Sequence, residues 1–147
     1  KELLSVLSSD TALVLTADHG QVNIEPESWL GLSAIEDLVD ECSGDGRFRY
    51  LHSRRGRAQD LLATAQDAYG AQAWVRSKEA LLDEGWLGPT PTPAVIRRIG
   101  DVVLAASDSV AFIDPKLPGE ARLRSAHGSL TAAEMEVPLL AHRGLRA

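Results

Sequence analysis

A single cysteine, Cys42, stands in 147 residues, so no internal disulfide is available and no second thiol exists for a zinc knuckle. That usage suits a reducing compartment. No segment approaches the roughly 18 consecutive apolar residues of a membrane-spanning helix, and no charged-then-apolar leader opens the sequence. The expectation is a cytoplasmic chain with no membrane partner. A surplus of positive charge is also missing: 15 Lys and Arg face 21 Asp and Glu, giving a net charge of −6 and a pI near 5.1. Long-range repulsion of phosphate then argues against nucleic acid as a partner, although a small anionic substrate stays compatible if a metal supplies the positive charge. Internal repeats and low-complexity tracts are absent. What remains is a globular composition, 44% hydrophobic and 24% charged, over one domain's worth of chain. Lys1 stands first and a helical pattern begins at once, which reads as a piece of a longer protein.

The chain is organised around Thr11 to Gly20, T-A-L-V-L-T-A-D-H-G. Leu3, Leu4 and Leu7 share a helix face ahead of it, and the unbroken apolar run Ala12–Leu15 predicts a strand buried on both faces, as in a parallel sheet. Polarity changes abruptly at Asp18. The carboxyl ends of strands are where open α/β sheets bind ligands, and adjacent carboxylate and imidazole groups offer zinc one hard oxygen and one borderline nitrogen. The alternative is that Asp18 and Gly20 are turn residues and His19 a surface side chain.

Further along, Gln21 to Gly31 reads as a loop over the strand end, with Trp29 packed there. Ser33 and Glu36 have capping-box spacing, and Ile35, Leu38 and Val39 predict a helix running to about Glu41. A small α+β unit follows: a strand to His52, a helix over 58–69, a strand at 73–76, a short helix over 78–84, and a stiff connection through Pro89, Pro91 and Pro93. Thr92 and Pro93 open a helix to Ile99, and 101–106 and 109–113 read as strands. The second chemically interesting stretch is Ser125 to Arg143, S-A-H-G-S-L-T-A-A-E-M-E-V-P-L-L-A-H-R. Thr131 and Glu134 have capping-box spacing, Val137 to Ala141 predicts a short strand with Pro138 at its edge or start, and His142 falls beyond it at the surface. His127-Gly128, like His19-Gly20, sets an imidazole beside a residue that permits close backbone approach.

The segments L-V-L-T-A-D-H-G at 13–20 and H-G-S-L-T-A-A-E-M-E-V-P-L-L at 127–140 together resemble the alkaline phosphatase superfamily, in its type I phosphodiesterase and nucleotide pyrophosphatase branch. G-W-L-G at 85–88 and R-I-G-D-V-V at 98–103 look like the cap insertion of bacterial members. The resemblance implies an α/β fold: part of an alkaline-phosphatase-like sheet with helices, divided into core segments 1–46 and 115–147 around an inserted α+β cap over 47–114. It implies that Asp18 and His19 ligate one metal and His127 a second, in a two-zinc site that acts on a phosphorylated small molecule. Members of the family also carry an Asp, a Thr or Ser nucleophile and an Asp-x-x-x-His pair upstream of the Asp-His stretch, and only seventeen residues precede Asp18. The nucleophile is therefore expected outside this chain, no catalytic residue is assigned within it, both zinc sites are expected to be incomplete here and to bind zinc weakly at best, and the chain is expected to be inactive alone.

In the cluster H-S-R-R-G-R, Arg54 and Arg55 are candidate substrate contacts, since guanidinium forks suit phosphate; the alternative is a solvated surface. Two other classes stay open: a non-catalytic α/β binding or structural module, and a phosphomutase or sulfatase relative that shares the metals. Convergence of Asp18, His19 and His127 in space separates the module from the rest. A strand at 11–16 deprived of a neighbour also predicts self-association.

Overall fold

A computed structural model describes residues 2–145. Lys1, at which the expectation of a longer parent began, lies outside the described residues. In chain order the elements are α1 (Glu2–Val6), β1 (Ala12–Thr16), β2 (Val22–Asn23), β3 (Trp29–Leu30), β4 (Val39–Asp45), β5 (Phe48–Ser53), α2 (Ala58–Tyr69), β6 (Ala73–Ser77), α3 (Lys78–Asp83), α4 (Pro93–Ile96), β7 (Val102–Ala106), β8 (Ala111–Phe112), β9 (Ser125–Ala126), α5 (Ala132–Met135) and β10 (Leu139–Arg143). None of the described helices is long and apolar enough to cross a membrane.

The core is built on a four-stranded sheet in the order β4-β5-β7-β6. Both β5 and β6 run antiparallel to β7, so they are parallel to each other with β7 between them, a split β-α-β unit closed by α2. The central position explains the sequence of β7, in which every side chain is buried. Val102, Leu104 and Ala106 pack with Leu61, Ala65 and Tyr69 of α2, which recur every four residues on one helix face. Val103 and Ala105 face the other way, toward Leu81 of α3, Ile99, Trp74 and Trp86. The local signals around this sheet are legible: the Ser77 hydroxyl accepts from the Ala80 N–H at 3.2 Å to cap α3, and Thr92 caps α4. Helix α4 ends at Ile96, shorter than the span expected to Ile99.

Three expectations are corrected. The helix expected over Ser33–Glu41 is a single 3-10 turn, Ser33–Ile35, without a side-chain cap. From Val39 the chain instead pairs with β5, through Cys42 opposite Leu51 and Asp45 opposite Phe48. A two-residue Gly46-Arg47 turn and Gly44 at φ +94° make that hairpin, and hairpin pairing satisfies more backbone groups than one more helical turn would. The boundary drawn between 46 and 47 thus falls within a hairpin turn. Ile35 and Leu38 are buried nonetheless.

Second, β1 is not a doubly buried parallel strand. It pairs antiparallel with β10, Ala12 opposite Arg143 through Thr16 opposite Leu139, in a ribbon that leaves Val14 58%, Leu15 51% and Leu139 74% exposed. Third, β10 begins after Pro138 and extends to Arg143, so His142 lies inside the strand, exposed, opposite Leu13. Pro138 has no N–H to give to a ladder, which places the start of the strand behind it. The expected loop over 21–31 also contains two short strands: β2 pairs antiparallel with β9, and β3 pairs in parallel with β8. Trp29 is buried there, and its indole N–H donates to the Leu123 carbonyl at 3.3 Å.

Candidate metal centre

Two antiparallel ladders bring the two histidine loops face to face. The β1–β10 ladder ends at Thr16 opposite Leu139, and the β2–β9 ladder begins at Val22 opposite Ala126. Between them one strand of chain carries Ala17 to Gln21, and the other carries His127 to Pro138 with α5. Pairing at both ends leaves these loops nowhere to diverge. Closeness is enforced at Gly20, whose N–H donates to the Glu134 carbonyl at 2.8 Å. A Cβ on that glycine would lie 1.9 Å from the Ala133 carbonyl oxygen, so no other residue fits. Gly128 holds φ +111° on the opposite loop, a left-handed conformation that favours glycine.

The rings of His19 and His127 stack with centroids 3.8 Å apart and planes 17° from parallel. His19 Nδ1 lies 2.8 Å from the Gly20 carbonyl oxygen. A carbonyl only accepts, so Nδ1 carries a proton, and the tautomer that this bond selects has its lone pair on Nε2. That Nε2 lies 3.7 Å from Asp18 Oδ2. Asp18 Oδ1 accepts the His19 backbone N–H at 3.1 Å. The Asp18 carboxyl is fully exposed, and its pKa is held below the ordinary value first by backbone N–H groups of Asp18 and His19, then by the His19 ring, with a small contribution from His127. It stays ionised and available as an oxygen donor.

Asp18, His19 and His127 are thus brought together at the end of β1. Arg54 and Arg55 are elsewhere. Arg54 lines a cavity of about 420 Å³ with Leu32, Val39, Cys42, Asp114 and Lys116, a lining that includes neither His19 nor His127. Arg55 is exposed beside it, and Arg57 of the same cluster is paired with Asp60 in the first turn of α2 at 2.6 Å. Among the described residues no group of three or more His, Cys, Asp or Glu is arranged to hold one ion.

Two residues that fix this region, Glu134 and Arg47, have no role here that the sequence announces. Glu134 was visible only as the fourth position of a T-x-x-E capping box. In the structure its carboxylate is 2% exposed and accepts from Arg47 Nε at 2.8 Å, Arg47 Nη2 at 2.9 Å, the Ser129 N–H at 2.9 Å, and the Thr131 hydroxyl. The Thr131 hydroxyl thus donates to the carboxylate rather than capping the helix. Arg47, buried in the hairpin turn, could not have been told from a surface turn residue.

No family model matches this chain, and no curated protein does. Solved structures do. The human ectonucleotide pyrophosphatase/phosphodiesterase 5 superimposes with a TM-score of 0.68 at 17% identity, over 96% of this chain and 35% of that one. The murine protein of the same name gives 0.69 at 17% identity, over 90% and 34%. Phosphonoacetate hydrolase from Sinorhizobium meliloti 1021 gives 0.62 at 20% identity, over 92% and 37%. The likeness is one of fold: this chain has an alkaline-phosphatase-like α/β fold over part of the architecture of those structures. The chain spans about a third of the length of the structures it matches.

Proposed function

We propose that this chain is the C-terminal part of a metal-dependent phosphoric ester hydrolase of the alkaline phosphatase superfamily, in which Asp18 and His19 hold one zinc ion and His127 a second. The observation that carries the reading is the stack of His19 on His127 at 3.8 Å with the Asp18 carboxylate beside it. The ions of two-metal sites lie about 3.5–4 Å apart, so donors for a pair must crowd into one small volume, as these do. The donor chemistry also fits. His19 gives its Nδ1 proton to a backbone carbonyl and turns Nε2 toward the carboxylate, the arrangement by which proteins orient an imidazole ligand. In tetrahedral zinc sites the metal lies about 2.0–2.2 Å from nitrogen and oxygen, so Asp18 Oδ2 and His19 Nε2, 3.7 Å apart, need only a small approach to share an ion.

Bound there, two zinc ions would lower the pKa of a nucleophile and neutralise charge on the phosphoryl oxygens. The chain's own contribution is to fix the donors. Gly20 locks the His19 loop to α5, the β2–β9 ladder holds His127 opposite, and the ionised Asp18 supplies negative charge at neutral pH. No nucleophile is assigned among these residues; it would come from the part of a longer chain that these 147 residues do not include. The substrate class follows the same reading, a small phosphorylated molecule, and the murine neighbour has been solved in complex with AMP.

The test is hydrolysis of an aryl phosphodiester by a longer protein containing this chain. Turnover should require zinc and fall at least a hundredfold on Asp18→Asn or His127→Ala, while residues 1–147 alone should show none. Activity that survives both substitutions would sink the assignment. Phosphonoacetate belongs in the same assay, because a neighbour of similar likeness is named for cleaving it.

A further inference from the structure

We propose that Glu134, held by Arg47, is a positioning residue that sets the spacing of His19 and His127. Both histidine loops are referenced to this one side chain and its own backbone. The carboxylate accepts the Ser129 N–H, two residues after His127, at 2.9 Å. The carbonyl of the same residue accepts the Gly20 N–H, one residue after His19, at 2.8 Å. A displacement of Glu134 therefore moves both loops. The carboxylate is itself fixed by a two-pronged Arg47 contact, and such a pair defines orientation as well as distance.

Arg47 in turn cannot drift. Its Nη1 donates to the Asp108 carbonyl at 2.8 Å and the Val110 carbonyl at 2.7 Å, and its own carbonyl accepts the Ala106 N–H at 2.8 Å. The Ser129 hydroxyl closes the ring onto Ala106, donating to that residue's carbonyl at 2.6 Å. The histidine pair is thereby tied to the end of β7, the strand of the sheet in which every residue is buried. A lysine in place of Arg47 would bring a point charge without the fork, so orientation would be lost while charge is kept. A purely structural ion pair would hold the fold together without being bonded to both loops at once. The placement of His19 against His127 follows from this geometry whether or not a metal binds; the consequence for metal affinity rests on the reading of the preceding subsection.

The experiment is proton NMR of the His19 and His127 ring signals in the unaltered chain and in Glu134→Gln, with zinc titrated into each. Stacked rings shift each other's protons upfield. In Glu134→Gln that shift should collapse while the signals of the Tyr69–Phe112 edge-to-face pair hold, and the apparent zinc affinity should drop about 10–100-fold, as for other groups that orient ligands. Arg47→Lys should lose part of the shift. If Glu134→Gln does not fold, the double replacement Arg47→Met with Glu134→Met removes the buried charges together and keeps side-chain volume, and it too should lose the stack. In the unaltered chain the Gly20 and Ser129 amides should exchange as slowly as those of β2 and β9. A stack unchanged in either folded variant, or open-loop exchange at those two amides, would overturn the proposal. Ring signals that respond to Glu134→Gln in a chain that ignores zinc would leave the positioning role standing and count against the metal assignment.

Discussion

Two strands of this chain are written in nearly the same residues and live in opposite environments. β1 is Ala-Leu-Val-Leu-Thr and β7 is Val-Val-Leu-Ala-Ala, yet β7 is buried at every position and β1 is exposed at four of five. The difference is neighbours. β7 has a paired strand on each side, α2 over one face and the α3–Trp86 segment over the other, whereas among the described residues β1 pairs only with β10, and Val14 and Leu15, on opposite faces, are both more than half exposed. An unbroken apolar run states that a strand is suited to burial between two layers, and whether those layers are present is a property of the rest of the fold. In the larger solved structures that match this chain, about two thirds of the polypeptide has no counterpart here. Apolar side chains stand exposed on both faces of the β1–β10 ribbon.

The comparison can be broken by mutation, and the largest effect should come from the buried strand. Leu104→Ala should destabilise the chain by about 2–5 kcal/mol, the range for emptying a fully packed leucine site, and Leu140→Ala on the ribbon should change it by less than about 0.5 kcal/mol. Equal shifts in urea midpoints would show that the ribbon is packed against something. Of similar size is the effect of Arg47→Met, which strands a buried carboxylate and should cost about 3–5 kcal/mol by equilibrium unfolding.

The same ion pair predicts a response to pH. Burial alone would raise the pKa of Glu134, but hydrogen bonds from Arg47, Thr131 and Ser129 outweigh it and hold the carboxyl below its ordinary value of 4.5. A depressed folded pKa means a contribution fully present above 4.5 and lost as pH falls through the folded value. Acid unfolding monitored by circular dichroism should therefore begin below pH 4.5 and flatten in the Arg47→Met, Glu134→Met double variant.

A smaller effect concerns association. With Val14, Leu15, Leu139 and Leu140 all more than half exposed on one two-stranded ribbon, sedimentation at rising concentration should show self-association that Leu15→Lys with Leu140→Glu weakens. The smallest prediction is chemical. Burial pushes the Cys42 thiol up to about 11, so labelling by a thiol reagent at pH 8 should be far slower than for a free thiol and should speed up on unfolding.

Legibility in the sequence tracked how local each signal is. α2 is legible because its apolar residues recur on one face within a dozen positions, and the start of α4 because Thr92 and Pro93 stand side by side. The Ser33–Glu41 segment reads as a helix because a capping box is local, whereas the hairpin that replaces it depends on Cys42 meeting Leu51. β2 and β9 carry no pattern at two residues each, although their pairing is what brings His19 to His127. The histidines themselves stood out through adjacent Asp and Gly residues. Glu134 and Arg47 did not, since 87 residues separate the partners and nothing near either one announces the other.

The most direct test of the metal assignment uses the four histidines as each other's controls. Zinc titrated into the chain, followed through the ring signals of His19, His52, His127 and His142, should move His19 and His127 and leave His52 and His142 in place, and Asp18→Asn should weaken the response at His19 first. Shifts confined to His52 and His142, or an equal response at all four, would contradict the account.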